Sequence, residues 1–106
     1  MVMEKREIGR SGIMAGGIGL GAWAIGGGLW WGDNDDRMSI DTIHRALELG
    51  INWVDTARVY GFGHSEEVVG KALKKISREK VILSTKCGIQ WYDKNGEYHF
   101  SREGHD

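Results

Sequence analysis

Apolar residues recur at intervals of three and four residues in two stretches of the chain, which predicts two amphipathic helices. The first helix is predicted over Ser39–Leu49, where Ser39 or Asp36 can cap the start. Gly50 follows it, in the usual position of a glycine at a helix C-terminus. The second helix is predicted from about Ser65, another capping residue, and its apolar face consists of Val68, Val69, Ala72, Leu73 and Ile76.

Three segments with strand character alternate with these helices. They are the glycine-rich Gly17–Gly21, then Ile51–Thr56, and finally Val81–Thr85. A strand–helix–strand–helix–strand order is typical of parallel strands joined by right-handed crossovers. Along the last two segments, period-two alternation places the polar residues on one face. The opposite, purely aliphatic face is typical of a face covered by helices, and it contains Val54, Val81 and Leu83.

Turn-forming residues predict the remaining structure. Glu4–Ile8 and Ile13–Met14 flank a glycine-containing turn, which predicts an N-terminal hairpin or a strand and turn. Ala22–Asp36 is predicted to be a long glycine-rich loop that carries three tryptophans. Near the end of the chain, Trp91–Phe100 contains the two-residue hairpin signal Asn95-Gly96.

Composition limits the class of protein. The 106 residues have room for one domain, and we expect residues 1–106 to form a single incomplete domain. Because 14 Lys and Arg balance 15 Asp and Glu, there is no electrostatic case for binding nucleic acid or an anionic membrane. The single cysteine excludes an intramolecular disulfide. The chain has no apolar run of the ~18 residues that a membrane span needs, so we expect a cytoplasmic protein. We also predict no metal site.

Two charged residues stand at the ends of consecutive predicted strands. Asp55 and Lys86 lie on the polar face, and neighbouring strands are ~4.8 Å apart, so the two side chains are expected to form an ion pair. This edge of a parallel sheet is where ligands bind. Tyr60 follows in the loop after Asp55, and an ammonium beside a phenol makes it a better proton donor. The alternatives are a structural salt bridge and a loop tyrosine that packs on its neighbours.

Several motifs occur in the order and spacing that are typical of one family. They are Ile18-Gly19-Leu20-Gly21-x-Trp23, Asp55-Thr56-Ala57-x-x-Tyr60-Gly61, Ser65-Glu66-x-x-Val69-Gly70-x-Ala72-Leu73 and Ser84-Thr85-Lys86. Over nearly the whole chain, this combination resembles the aldo-keto reductase family. The resemblance implies an α/β fold, a partial (β/α)8 barrel with about three parallel β/α units after a short N-terminal hairpin.

The resemblance also implies a reaction and roles for residues. Members of the family reduce aldehydes and ketones with NADPH, sometimes NADH, and three of the four catalytic residues would be Asp55, Tyr60 and Lys86. The turn Gly21-Ala22-Trp23 would contact the nicotinamide. The fourth catalytic residue of the family is a histidine that follows the fourth strand. His99 and His105 precede any such strand, so no catalytic histidine is assigned, and the carbonyl substrate is left open.

Two further expectations concern the surface. An apolar substrate cleft is expected to be lined by Trp31 and Trp91, together with Trp23 and Tyr92. The alternative is that these aromatic residues cover the barrel mouth or an interface. Three strands leave open sheet edges, so we expect a homo-oligomer or docking on a complementary fragment. The chain alone is expected to bind NADPH weakly or not at all and to be inactive. The competing hypothesis is a non-catalytic partial-barrel module, either a folding and assembly fragment or a piece of a regulatory barrel.

Overall fold

A computed structural model describes residues 3–103 and shows an α/β architecture. Three 3-10 turns, Ala24–Gly26, Tyr60–Gly63 and Arg78–Lys80, connect longer elements. In chain order these are β1 (Lys5–Glu7), β2 (Met14–Gly16), β3 (Leu20–Gly21), α1 (Gly28–Trp31), α2 (Asp36–Glu48), β4 (Trp53–Asp55), α3 (His64–Leu73), β5 (Ile82–Ser84), β6 (Ile89–Lys94) and β7 (Glu97–Arg102).

The centre of the fold is a parallel sheet with the strand order β3-β4-β5. Its register pairs Gly21 with Asp55, and Asp55 with Ser84. The helix α2 connects β3 to β4, and α3 connects β4 to β5. The predicted order of parallel strands and crossover helices is therefore confirmed.

The core lies between the sheet and the two longer helices. Val54 of β4 is fully buried, and it meets Ile43 from α2 and Val68 from α3. The rest of the core consists of Ala22, Ile25, Val69, Ala72, Leu73 and Val81. The predicted apolar face of the second helix is confirmed for Val68, Val69, Ala72 and Leu73, whereas Ile76 lies after the end of α3 and is only partly buried.

The helix starts differ from the prediction. α2 is capped by Asp35, whose carboxylate accepts hydrogen bonds from the backbone N–H groups of Arg37 and Met38. Ser39, one of the predicted caps, is buried in the first turn instead. At the start of α3, the N-cap residue is Gly63, and Ser65 is fully buried with its hydroxyl bound elsewhere. Both serines were wrong choices because each helix begins before its serine, and the alternative cap, Asp36, is the first residue of α2.

The glycine-rich opening also differs. The predicted strand over Gly17–Gly21 is limited to the two residues of β3, and Gly21 is exposed. The predicted loop contains the turn Ala24–Gly26 and the helix α1. Gly28 and Gly32 exchange two backbone hydrogen bonds of 2.8 Å, which close α1 into a compact turn.

Both predicted hairpins are present. β1 and β2 pair antiparallel, as do β6 and β7. The second turn has positive φ at Asn95 (53°) and Gly96 (82°), the backbone that a tight type I′ turn requires. Within residues 3–103, no helix is long and apolar enough to cross a membrane.

Candidate active site

An ion pair joins the carboxyl ends of β4 and β5. The Lys86 ammonium donates to Oδ2 of Asp55 over 2.6 Å and to the carbonyl oxygen of Thr56 over 2.9 Å. Burial works against both charges, but mutual hydrogen bonding and attraction outweigh it. The pKa of Asp55 is therefore below its ordinary value and the pKa of Lys86 is above its own. Both groups are charged at neutral pH.

A hydrogen-bonded chain orients the carboxylate of this pair. The indole N–H of Trp53 donates to Ser84 Oγ over 2.8 Å, and Ser84 Oγ donates to Asp55 Oδ1 over 2.6 Å. Both carboxylate oxygens therefore have a partner, so the side chain of Asp55 is held in one orientation. Sequence reasoning assigned no role to Trp53 or Ser84. The signal that could have found them is their shared polar face with Asp55 and Lys86.

Tyr60 lies over the same edge of the sheet. Its ring centroid is 5.0 Å from the Lys86 ammonium nitrogen. The Trp23 ring stacks on it at 6.0 Å with an angle of 29°. The structure thus brings Asp55, Tyr60 and Lys86 together, at the edge where the sequence predicted that they meet.

A close backbone contact shapes the loop that carries Tyr60. Gly61 has φ +61°, and a Cβ on it would lie 2.2 Å from the carbonyl oxygen of Gly26. Both positions therefore require glycine, since any side chain would force the two segments apart. This contact holds the loop against the turn that follows Trp23.

The three predicted cofactor residues lie beside Asp55. Gly21 pairs with Asp55 in the sheet, and the N–H of Ala22 donates to the carbonyl of Asp55 over 2.8 Å. The carbonyl of Ala22 accepts from Ser65 Oγ over 2.7 Å. Thr56 Oγ1 lies 2.8 Å from the same Ser65 oxygen, so the threonine must donate because the serine proton is already used. This buried network fixes the segment Gly21-Ala22-Trp23 against β4.

An apolar pocket of about 240 Å³ opens next to Tyr60. It is lined by Trp23, Trp30, Val59, Tyr60, Ile89 and Phe100. The predicted substrate residues Trp31 and Trp91 do not line it. Trp31 meets Trp23 edge-on at 5.5 Å, and Trp91 packs 5.3 Å from Phe62. Trp30, Ile89 and Phe100 were missed, although alternation along the last hairpin puts Ile89 and Phe100 on one face.

Three of the four histidines belong to other contacts. His44 Nε2 lies 2.7 Å from the carbonyl oxygen of Ala72, and His64 Nε2 lies 2.8 Å from Asp36 Oδ1. His99 stacks on Tyr92 at 5.0 Å, and His105 lies outside the described residues. Between residues 3 and 103, no group of three or more His, Cys, Asp or Glu side chains could hold a metal ion.

This parallel β/α sheet is part of a (β/α)8 barrel. Its carboxyl edge carries a tyrosine, a lysine–aspartate pair and an apolar pocket, and that edge is where such barrels bind their ligands. The model of the Aldo/keto reductase family matches residues 17–105. The chain therefore belongs to the aldo/keto reductase family, as the motifs predicted.

Known relatives are longer than this chain. It is 53% identical over 90 residues to the NADH-specific methylglyoxal reductase of Escherichia coli, covering 84% of this chain but 28% of the relative. The glycerol dehydrogenase of Gluconobacter oxydans superposes with a TM-score of 0.79 at 42% identity, over 94% of this chain and 30% of that structure. An aldo-keto reductase from Klebsiella pneumoniae in complex with NADPH superposes with a TM-score of 0.67 at 29% identity, over 82% and 28% of the two chains.

Proposed function

We propose that this chain is the N-terminal part of an enzyme that reduces aldehydes or ketones to alcohols with a reduced nicotinamide cofactor. The observation that carries the proposal is the convergence of Asp55, Tyr60 and Lys86 at one sheet edge. Two comparisons support it: the family to which the chain belongs, and the E. coli relative, whose name describes reduction of methylglyoxal.

We also propose a cytoplasmic location. The single cysteine is consistent with a reducing compartment, where disulfides are rare.

The proposed acid is the phenol of Tyr60, which protonates the carbonyl oxygen of the substrate. The charge of Lys86 stabilises the phenolate that remains, and this lowers the barrier to proton transfer. Asp55 keeps the ammonium in place and charged, because it accepts a 2.6 Å hydrogen bond. Asp55 therefore acts through Lys86 and does not touch the substrate.

The segment Gly21-Ala22-Trp23 fits a nicotinamide ring. Nothing lies within 4 Å of the position of a Cβ on Gly21, so a flat group has room to approach its backbone. Trp23 offers a 45% exposed indole beside it. The cofactor, when bound, supplies the hydride. We propose NADPH, and NADH is the alternative that the name of the E. coli relative supports.

The apolar pocket is the proposed site for the group attached to the carbonyl. Trp30, Ile89 and Phe100 place apolar surface beside Tyr60, and a bound substrate would complete the exclusion of water there. Trp31 and Trp91 do not line the pocket, and each packs against a neighbouring aromatic ring instead. They contact Trp23 and Phe62 respectively.

A graft tests the proposal. Residues 17–105 would replace the corresponding segment of the E. coli relative, and NADH-dependent and NADPH-dependent reduction of methylglyoxal would be followed by cofactor absorbance. We expect the graft to be active, and Tyr60→Phe or Lys86→Met to lower kcat by roughly 100-fold or more. The matched control is Tyr92→Phe, an exposed phenol on the last hairpin. An active graft in which Tyr60→Phe keeps full activity would refute the assignment of the acid.

The second candidate is a non-catalytic partial-barrel module. Leu83 supports it, because this residue belongs to the aliphatic face of the sheet but is 39% exposed. An uncovered sheet face is what a partial barrel would have. Titration of the 106-residue chain with NADPH and NADH is followed by nicotinamide fluorescence, and binding by the chain alone favours assembly of a cofactor site. If the folded chain binds neither cofactor, the graft decides: reductase activity that needs Tyr60 favours the enzyme, and an inactive graft favours the module.

A further inference from the structure

The loop that carries Tyr60 presents its two flanking side chains to the last hairpin. We propose that Arg58 and Phe62 are positioning residues that brace this loop against β6 and β7 and so set the place of the Tyr60 phenol. The inference rests on the proposed function in one respect, the role of Tyr60 as the acid. It assigns to the hairpin a part in catalysis beyond that of a pocket wall.

Arg58 contacts the first residues of β6 and the residue just after β7, at the open end of the hairpin. Its guanidinium lies 4.8 Å above the Trp91 ring in β6 and 2.8 Å from the carboxylate of Glu103, just after β7. The carbonyl oxygen of Ile89 lies 3.5 Å from the same nitrogen, Nη1. An exposed ion pair alone contributes little to stability. Here, however, the planar guanidinium binds the Glu103 carboxylate and the Trp91 ring at once, and these two partners hold it in a single geometry.

Phe62 packs into the aromatic face of the hairpin. Its ring stacks on Tyr98 at 4.4 Å with an angle of 12°, and Trp91 and Phe100 lie 5.3 and 6.2 Å away. The backbone of Phe62 is left-handed, with φ +55°, a conformation that costs a non-glycine residue about 1 kcal/mol or more. Such a conformation persists because the surrounding contacts stabilise it, and here those contacts come largely from the hairpin.

The brace also reaches the lysine. The backbone N–H of Arg58 donates to the carbonyl oxygen of Lys86 over 3.2 Å, and the hairpin begins three residues after Lys86. The Tyr60 loop, the Lys86 segment and the hairpin are therefore cross-linked into one unit. Asp55 holds the ammonium separately, so loss of the contacts to the hairpin lets the phenol move relative to it.

Amide hydrogen exchange on the 106-residue chain tests the brace without any need for activity. The N–H groups of Tyr60 and Phe62 are bonded within their own loop, to the carbonyls of Ala57 and Val59. In Arg58→Met we expect both amides to exchange roughly tenfold faster or more, with α2 unchanged.

Arg45→Met is the matched control, because it removes an arginine from an exposed ion pair with Glu48 on α2. It should leave the loop amides as they are. Glu103→Gln and Phe62→Leu are second variants that should act in the same direction as Arg58→Met, and Arg58→Lys should restore protection in part. Unchanged loop amides, or an equal increase throughout α2, would overturn the brace.

Kinetics of the graft then separate positioning from simple stability. Arg58→Met should lower kcat roughly tenfold while KM for the cofactor stays within about twofold, because only the placement of the acid changes. Faster exchange with an unchanged kcat would reject the positioning role. An unsubstituted graft without reductase activity would refute the proposed function, while hydrogen exchange would still decide whether the brace exists.

Discussion

At the scale of single residues, the site depends on hydrogen bonds to both carboxylate oxygens of Asp55. One oxygen accepts from Ser84 and the other from Lys86. A carboxylate with both oxygens bound resists rotation, and the ammonium that it holds is therefore fixed above the strand ends. In the proposed reaction the pair acts through this orientation as well as through its charge.

Ser84→Ala should loosen this arrangement. It leaves the indole N–H of Trp53 and one oxygen of Asp55 without their partner, so we expect the free energy of unfolding to fall by about 1–2 kcal/mol. Urea denaturation measures the change, with the exposed Ser77→Ala as the control. A loss no larger than that of the control would mean that water replaces the serine.

The ion pair predicts a pH dependence of stability. Asp55 has a lowered pKa in the fold, so its contribution is present above the ordinary value of 3.8 and is lost as the pH falls through the folded pKa. Lys86 has a raised pKa, so its contribution is present below 10.5 and is lost as the pH rises through the folded pKa. Since both side chains are more than a third exposed, the effect should be about 1 kcal/mol or less.

Asp55→Asn tests this dependence. At neutral pH the variant should be less stable than the unsubstituted chain, and the difference should vanish in acid, where Asp55 is protonated. Urea denaturation at a series of pH values measures it. A difference that persists at the lowest pH would show that the charge of Asp55 is not its source.

At the scale of elements, the attachment of α3 to the sheet explains why the site has a fixed shape. Ser65 is fully buried in the first turn of α3 and binds the carbonyl of Ala22 and the hydroxyl of Thr56. The helix, the segment after β3 and the end of β4 therefore meet at one hydroxyl group. The residue that looked like a helix cap joins three elements instead.

Ser65→Ala should therefore cost more than the loss of a surface hydrogen bond. It leaves the Ala22 carbonyl and the Thr56 hydroxyl buried without this partner, so we expect a loss of about 1–3 kcal/mol in the free energy of unfolding. Ser65→Cys, which keeps a weak donor of similar size, should lose less. Equal stability of Ser65→Ala and the unsubstituted chain would refute the role of this network.

Gly61→Ala should disrupt the Tyr60 loop. The added Cβ meets the carbonyl of Gly26 at a positive φ, so we expect a loss of at least about 2 kcal/mol in the free energy of unfolding. Gly70→Ala is the matched control, because it lies in α3 with nothing within 4 Å of the added carbon. It should stabilise the chain by about 0.5–1 kcal/mol. Thermal unfolding followed by circular dichroism compares the two.

At the scale of the whole molecule, the sheet has an uncovered part. Val54 and Leu83 lie side by side in the register, yet Val54 is fully buried under the helices and Leu83 is 39% exposed. Among the described strands, β5 pairs only with β4, so its outer edge is open. An apolar face next to an open strand edge favours association with another copy or with a complementary fragment.

We therefore predict that the purified chain self-associates. Light scattering should give a mass above that of the monomer, and Leu83→Lys should shift it towards the monomer by placing a charge on the open face. Met38→Lys, an exposed apolar position on α2, is the control and should have a smaller effect. A monodisperse monomer that unfolds cooperatively would contradict this prediction.

The sequence alone determined the two helices, the parallel strands, both hairpins and the meeting of Asp55 with Lys86. These features follow from local periods and turn residues, and from the rule that parallel strands end at one edge. Neighbouring residues carry such signals, because helices and turns form hydrogen bonds over a few positions. The position of Tyr60 after Asp55 made it a candidate proton donor, and the family motifs implied that it is catalytic.

Only the tertiary structure decided which side chains line the pocket and which polar groups hold the site. Trp30 reaches Phe100 across 5.6 Å between ring centroids, and Ser65 reaches Ala22 from a separate element. Such pairs are far apart in sequence, so they depend on how closely whole elements pack. For the same reason a buried serine near the start of a helix gives up its capping role, because packing determines which partner its hydroxyl reaches.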